Sequence, residues 1–341
     1  MRAAELISPT TFRLSDMAID EPGPGEVQVR IGAVGVCGSD LHAYGEGAVG
    51  GTPNAYPMVL GHEPAGTIVK IGAGVTGLTA GDRGALEPAH YCYHCEFCLS
   101  GRHNVCANIR FLSTPHNPGF FRELVNLPVA NFKPIPTEMS LEEAALAEPL
   151  AIAVHSLRLV TLRLGETVAV IGAGPIGLMT IAALRAAGAG RIWVVEPLAH
   201  RRELAKGIGA DAAIEHGEAV AEILKLTGQR GVDLAIDCAA GDETTIQAMQ
   251  MTRNAGRVAL TGIHTTATVK VDASAMRRKE LTLFNVRRSN HEADEALALL
   301  GAHPSWFAPV LTHARPLDRI EEAFDIASHY RDGVGKMVVK P

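Results

Sequence analysis

Charge of one sign is scarce in this sequence: 31 Lys and Arg stand against 37 Asp and Glu, a net charge of −6. That mild balance gives no electrostatic reason to expect a nucleic acid or an anionic membrane as partner. Internal repeats and low-complexity tracts are absent, which argues against solenoids and disordered tails. The opening residues Met1-Arg2-Ala3-Ala4-Glu5-Leu6 lack the apolar core and small-residue cleavage site of a secretory signal. Only one charge-free run, Thr167–Leu184, is long enough to suggest a membrane span, and it contains Gly172, Gly174, Pro175 and Gly177, a pattern better explained below. Cysteines number six. Four of them cluster, and in a chain without an export signal such a cluster reads as metal binding rather than disulfides. A cytoplasmic location is the expectation.

What is present is a chain of 341 residues, 47% hydrophobic and 20% charged, ordinary for a globular protein and long enough for two domains. The first part is rich in short β-like runs. Val27–Ile31 alternates toward a strand, Gly66–Gly72 reads as a strand ending in a turn, and Gly81-Asp82 marks another turn. Near Ser140 the texture changes: Ser140 and Glu143 fit a capping box, and an Ala/Leu-rich helical run follows. From residue 167 strands and helices alternate. Val168–Ile171, Ile192–Glu196, Leu234–Asp237, Arg257–Thr261 and Leu281–Phe284 are the strand candidates, with a helix over 176–187. Val168–Ile171 is a continuous apolar run, which suits a strand buried on both faces, and the alternation as a whole is that of a doubly wound parallel sheet. A helix from about residue 290 and a strand at Lys336–Val339 close the chain.

Gly172-Ala173-Gly174-Pro175-Ile176-Gly177 is a G-x-G-x-x-G string placed directly after a buried strand and at the start of a helix, the context that makes it a dinucleotide turn. The first glycine allows the tight turn. The second lets backbone approach a pyrophosphate at the helix N-terminus, and the third allows close helix–strand packing. Glu196 follows 19 residues after Gly177 at the end of the second strand. A carboxylate there binds adenosine ribose hydroxyls and repels a 2′-phosphate, favouring NAD, while nearby Arg201 and Arg202 keep NADP open.

Cys92, Cys95 and Cys98 are spaced by two residues, and Cys106 follows after seven more. Zinc binds four thiolates tetrahedrally at ~2.3 Å, and short loops of this spacing deliver them. All four positions would be filled, so this zinc is structural. A second set is dispersed: Cys37, His62 with Glu63, and Glu148. One thiolate, one imidazole and one or two carboxylates with water would make an open, Lewis-acidic site. Spacing alone does not link these residues.

With these strings together, the chain resembles the zinc-dependent medium-chain dehydrogenases over nearly its whole length. Val36-Cys37-Gly38-Ser39-Asp40-Leu41-His42 looks like that family's first zinc-ligand loop and Gly61-His62-Glu63 with Gly66 its second, and the four cysteines and the glycine turn follow in the family's order. Phe111–Pro115, Glu148-Pro149-Leu150-Ala151 with His155, and Val286-Arg287-Arg288-Ser289-Asn290 bring it nearest the sorbitol, or polyol, subgroup. The resemblance implies a β-rich GroES-like catalytic domain over 1–151, with a zinc lobe at about 88–110, a Rossmann domain over 152–285, and a return to the catalytic domain over 286–341. It implies two zinc ions per chain, one catalytic and one structural. Cys37 and His62 would bind the catalytic ion, Glu63 would be a ligand or near ligand, and Glu148 would bind directly or through water. Ser39 would hydrogen-bond the reacting oxygen, and His42 would pass its proton outward. Phe111 and Thr114 would line the substrate pocket, Thr261 would lie at the cofactor, and Arg287 would face substrate or cofactor.

Two features depart from the subgroup: all four lobe cysteines are kept, and the family's Arg-Tyr pair reads Arg287-Arg288. The second cation leaves room for an acidic sugar or another polar substrate. The expected activity is hydride transfer from a secondary alcohol or polyol to NAD. Threonine, glucose or simple-alcohol dehydrogenases of the same build remain alternatives, as does a zinc- and NAD-binding protein without turnover. A homo-oligomer is expected by resemblance, a tetramer ahead of a dimer.

Overall fold

The computed structural model describes residues 1–341 and divides into two compact units. The first comprises Met1–Glu148, Ala293–Pro304 and Leu311–Pro341; the second comprises Pro149–Glu292 and Ser305–Val310.

The first unit is built on a seven-stranded sheet. Its strands lie in the order Phe132–Pro134, Arg83–Leu86, Glu63–Ile71, Glu26–Gly35, Lys336–Lys340 and Leu311–Pro316, and Leu124–Pro128 also pairs with Glu26–Gly35. The expected strands fall within two longer ones that pair antiparallel: Val27–Ile31 near the start of Glu26–Gly35, and Gly66–Ile71 at the end of Glu63–Ile71, with Gly72 just beyond it. The C-terminal strand inserts beside Glu26–Gly35, antiparallel to it. Alternation along these strands sends Val27, Val29, Ile31, Leu127 and Val339 into a core shared with Phe120, Phe121 and Phe324. Edge-on contact between Phe121 and Phe324, with ring centroids 5.7 Å apart, ties the helix Ile320–Ser328 to it.

A helix interrupts the β texture at Gly38–Glu46, with Cys37 at its N-cap in extended conformation and Gly47 closing it at φ 70°. The string read as a ligand loop is therefore a helix start, which places Ser39 in its first turn and His42 one turn later. The Ser140 capping box is present: Ser140 Oγ accepts from Glu143 N at 3.1 Å, and Glu143 accepts from Ser140 N at 2.8 Å. The short helix it opens, Leu141–Ala144, gives way to a longer one at Ala147–Val160.

In the second unit six strands form a sheet parallel throughout, ordered Ala212–Ile214, Arg191–Val195, Thr167–Ile171, Val232–Asp237, Thr252–Leu260 and Thr282–Asn285. This is the doubly wound arrangement, whose strand order reverses beside the first strand, Thr167–Ile171. The inner strand Val232–Asp237 is buried along its whole length; Leu234, Ala235 and Ile236 suit that place, and its two aspartates are satisfied there, Asp233 accepting from Thr167 N and Asp237 from Ala239 N. Thr167–Leu184 is a strand, a turn and part of a helix, and no helix is long and apolar enough to cross a membrane.

Candidate active site

The dinucleotide turn lies at that reversal. Gly172 has φ 89°, a left-handed conformation that favours glycine. Gly174 caps the helix Pro175–Ala186, with Pro175 in its first turn, where the missing N–H costs nothing. A Cβ on Gly177 would lie 1.9 Å from Gly172 O, so helix and turn touch only because there is none. A Cβ on Gly174 would meet only the Arg201 guanidinium, at 3.7 Å. An open helix N-terminus beside a cation is a cradle for an anionic pyrophosphate.

Glu196 lies at the next strand end, 3% exposed. Its Oε2 accepts from Ala173 N at 2.7 Å and its Oε1 from Leu198 N at 2.9 Å. A carboxylate has about four acceptor sites, so two remain beyond these backbone hydrogen bonds, which hold the carboxylate in fixed orientation. Arg202 donates to Glu196 O and Pro197 O. Ile176 lies in the turn's helix. Thr261 is buried after the fifth strand, with its hydroxyl 3.0 Å from Ser156 Oγ, and Arg287 is exposed.

In the first unit, the sulfurs of Cys92, Cys95, Cys98 and Cys106 lie within 4.8 Å of one another, and no disulfide joins them. Separations of 4.0 Å (Cys92–Cys98) and 3.9 Å (Cys95–Cys106) match the edge of a tetrahedron with ~2.3 Å zinc–sulfur bonds. The Asn108 amide and backbone N–H groups donate to the Cys92 sulfur and lower its pKa to about 5. The donor set fits a closed zinc site.

Cys37, His62 and Glu63 offer a sulfur, a nitrogen and an oxygen within 4.8 Å of one another. The helix N-cap carries the first; the other two come from the turn and strand start at 62–63. Glu63 is 1% exposed, and its Oε1 is buried without a hydrogen-bond partner. A buried carboxylate oxygen with no donor is costly unless a cation takes that place. Three mixed donors, a sulfur, a nitrogen and an oxygen, are the set that an open zinc site uses. Glu148 is half-buried in the first turn of Ala147–Val160 and lies outside this three-donor group.

The surroundings orient these donors. Asp40, 1% exposed, faces His62 Nδ1 at 3.4 Å and accepts from Cys37 N at 3.1 Å, Gly61 N at 3.2 Å and Ser113 Oγ at 3.3 Å. A carboxylate behind a ligating imidazole fixes its ring and raises its basicity. Burial disfavours charge on His62, yet Asp40 and Cys37 outweigh it and raise the His62 pKa well above its ordinary value. Burial likewise works to raise the Asp40 pKa, but His62 and the two amides hold it below the ordinary carboxylate value. Ser39 Oγ lies 3.4 Å from His62 Nε2, and His42 Nδ1 is 2.7 Å from Glu46 Oε1 on the outer face of the same helix. The Phe111 ring packs 5.6 Å from that of His62, and Thr114 Oγ1 donates to Phe111 O at 2.7 Å.

Sequence reasoning passed over Asp40 and Lys336. A signal existed for Asp40: it stands three residues after Cys37, where a capping box places its acid. For Lys336, the buried partner of Glu63, there was none.

Residues 23–137 match the model of the alcohol dehydrogenase GroES-like domain, and residues 175–302 match that of the zinc-binding dehydrogenases. Sorbitol dehydrogenase of Homo sapiens is 36% identical over 97% of this chain and 93% of its own length. L-idonate 5-dehydrogenase of Vitis vinifera is 34% identical over 96% and 91%. A crystal structure from Sinorhizobium meliloti 1021, described as a zinc-binding dehydrogenase bound to NADP, superposes with a TM-score of 0.90 at 29% identity, covering 100% of this chain and 99% of that one.

Proposed function

Because the chain belongs to the zinc-dependent medium-chain alcohol dehydrogenases, in their polyol dehydrogenase subgroup, we propose that it oxidises a secondary hydroxyl of a sugar alcohol to a ketone with NAD. The hydroxyl proton leaves to solvent, and the hydride passes to the nicotinamide, giving NADH. The observation that carries this is the three-donor group Cys37, His62 and Glu63; three protein ligands leave a four-coordinate zinc one further position. Zinc held there supplies Lewis-acid polarisation of a hydroxyl.

The remaining work falls to this chain's own side chains. Asp40 holds the His62 ring in place. Ser39, in the helix's first turn, receives the hydroxyl proton, and His42, one turn outward and hydrogen-bonded to Glu46, delivers it to water. Phe111 and Thr114 shape the apolar side of the substrate pocket. Glu148 is a ligand through water or an alternate to Glu63. In the second unit the 172–177 turn and Arg201 receive the pyrophosphate, Glu196 selects the ribose, and Thr261 and Arg287 flank the cofactor. The Cys92–Cys106 zinc is structural.

NAD is preferred over NADP in this reading because the Glu196 carboxylate is fixed where a 2′-phosphate would add like charge. A sugar acid is a second substrate class, favoured by Arg287-Arg288 and by the L-idonate relative. A homotetramer is the assembly proposed. The cytoplasm is the proposed location, where four thiols stay reduced for a metal.

The test is absorbance at 340 nm with NAD and, separately, NADP against a panel of sorbitol-type polyols, sugar acids, threonine and simple alcohols, with zinc analysis of the same sample. Turnover of polyols or sugar acids with two zinc ions per chain is expected. No turnover of any alcohol, or turnover confined to threonine, would end this reading.

A further inference from the structure

Lys336 has no exposed side-chain surface, whereas lysines are almost never fully buried without partners. Its Nζ forms an ion pair with Glu63 Oε2 and donates to Val36 O at 3.0 Å. Three neighbouring strands assemble the contact: Gly35 pairs in register with Glu63 on one side and with Val338 on the other. A Cβ at Gly35 would lie 2.0 Å from Glu63 Oε2 and 2.8 Å from Lys336 Cε. The bare glycine thus leaves the space in which carboxylate and ammonium meet. Taking an ammonium out of water costs several kcal/mol, so this one persists only with its counter-charge in place.

The pair uses one carboxylate oxygen. The other, Oε1, is buried with neither a hydrogen bond nor an ion pair, and the Glu63 carboxylate supplies the oxygen of the donor group with Cys37 and His62. We propose that Lys336 is a positioning residue for the catalytic metal: by occupying Oε2 it restricts Glu63 to a one-oxygen ligand and keeps the fourth coordination position available to the alcohol. This rests on the zinc reading above. A carboxylate beside a divalent cation binds through one oxygen or both, and binding through both would consume the place the substrate needs. Charge points the same way. One thiolate and one carboxylate cancel a dication, and the Lys336 ammonium leaves a positive charge in the pocket, which favours an electron-rich oxygen in the remaining position.

Lys336→Met tests this, since methionine approximates the lysine stem without the charge. Zinc affinity of the site is read by chelator competition, with the Cys92 lobe as internal reference, and KM and kcat are measured on the same preparation. With Glu63 released to the metal, the site should hold zinc at least tenfold more tightly. KM for the alcohol should rise at least tenfold, with a smaller change in kcat, and Lys336→Arg should restore both. A folded Lys336→Met protein with unchanged or weaker site affinity overturns the inference. Should that variant fail to fold, a crystal structure of the zinc-loaded wild-type protein carries the test: Glu63 bound through one oxygen, with the other on Lys336 Nζ, is expected, and both Glu63 oxygens on the metal overturn the inference equally. Wild-type protein holding only the lobe zinc would sink the zinc reading itself, whereas two zinc ions with an unaltered Lys336→Met site would sink only the role of Lys336.

Discussion

Replacing Asp40 by asparagine removes one charge from behind His62 and little else. The side chain keeps its size, but one of its two oxygens becomes an NH2. Both oxygens now accept from backbone: Oδ2 from Cys37 N and Oδ1 from Gly61 N, with Ser113 Oγ and His62 Nδ1 also on Oδ1. Whichever way the amide is turned, a buried N–H faces a second donor. Leaving such a donor unsatisfied costs about 1–3 kcal/mol. Loss of the carboxylate behind a ligating histidine weakens metal binding by about 10–100-fold, or roughly 1.4–2.8 kcal/mol. Asp40→Asn should therefore lose the catalytic zinc to a chelator at about 10–100-fold lower competitor concentration than wild type, and turnover should fall with zinc occupancy. The Cys92–Cys106 zinc should be held as before. If both ions resist the chelator as in the wild type and turnover is unchanged, Asp40 does not orient His62, and its burial serves only the helix cap at Cys37.

Two further substitutions address the other centres. Cys95→Ser breaks the closed four-sulfur site; because such zinc contributes directly to folding, melting should drop by about 5–10 °C before the chemistry is affected, and an unchanged melting temperature would remove the structural zinc from the account. Glu196→Ala takes away the carboxylate fixed by Ala173 N and Leu198 N; the NAD-to-NADP ratio of kcat/KM should fall about tenfold or more, roughly 1.4 kcal/mol, and an unaltered ratio would show that Glu196 selects nothing.

The parts legible in the sequence are those whose partners are near in the chain. The glycine turn needs only a strand before it and a helix after it, and the four lobe cysteines span fifteen residues (Cys92 to Cys106). The parallel sheet announced itself through Val168–Ile171, an apolar run of the kind that strands buried on both faces carry, and through the alternation of strands with helices that follows it. The helix Gly38–Glu46 did not, since it is nine residues long, capped by cysteine rather than serine or aspartate, and buries only Asp40, Ala43 and Tyr44. Cys37, His62 and Glu63 were joined only through family resemblance, because nothing local binds a helix cap to a strand 25 residues on. Lys336 was beyond reach for a stronger reason. Lys-Met-Val-Val-Lys reads as a strand with charged ends, and what buries its first lysine is a carboxylate 273 positions earlier, brought near by the terminal strand entering the sheet next to Glu26–Gly35.

The zinc content of wild type and Cys37→Ser, measured on samples also assayed for turnover and for NAD binding, is the most direct test of the open three-donor site. Two ions per chain in the wild type are expected, and one in the variant, with turnover lost and NAD affinity kept. A Cys37→Ser protein that still holds two ions and oxidises its alcohol at the wild-type rate would contradict the assignment of that sulfur and of the centre built on it.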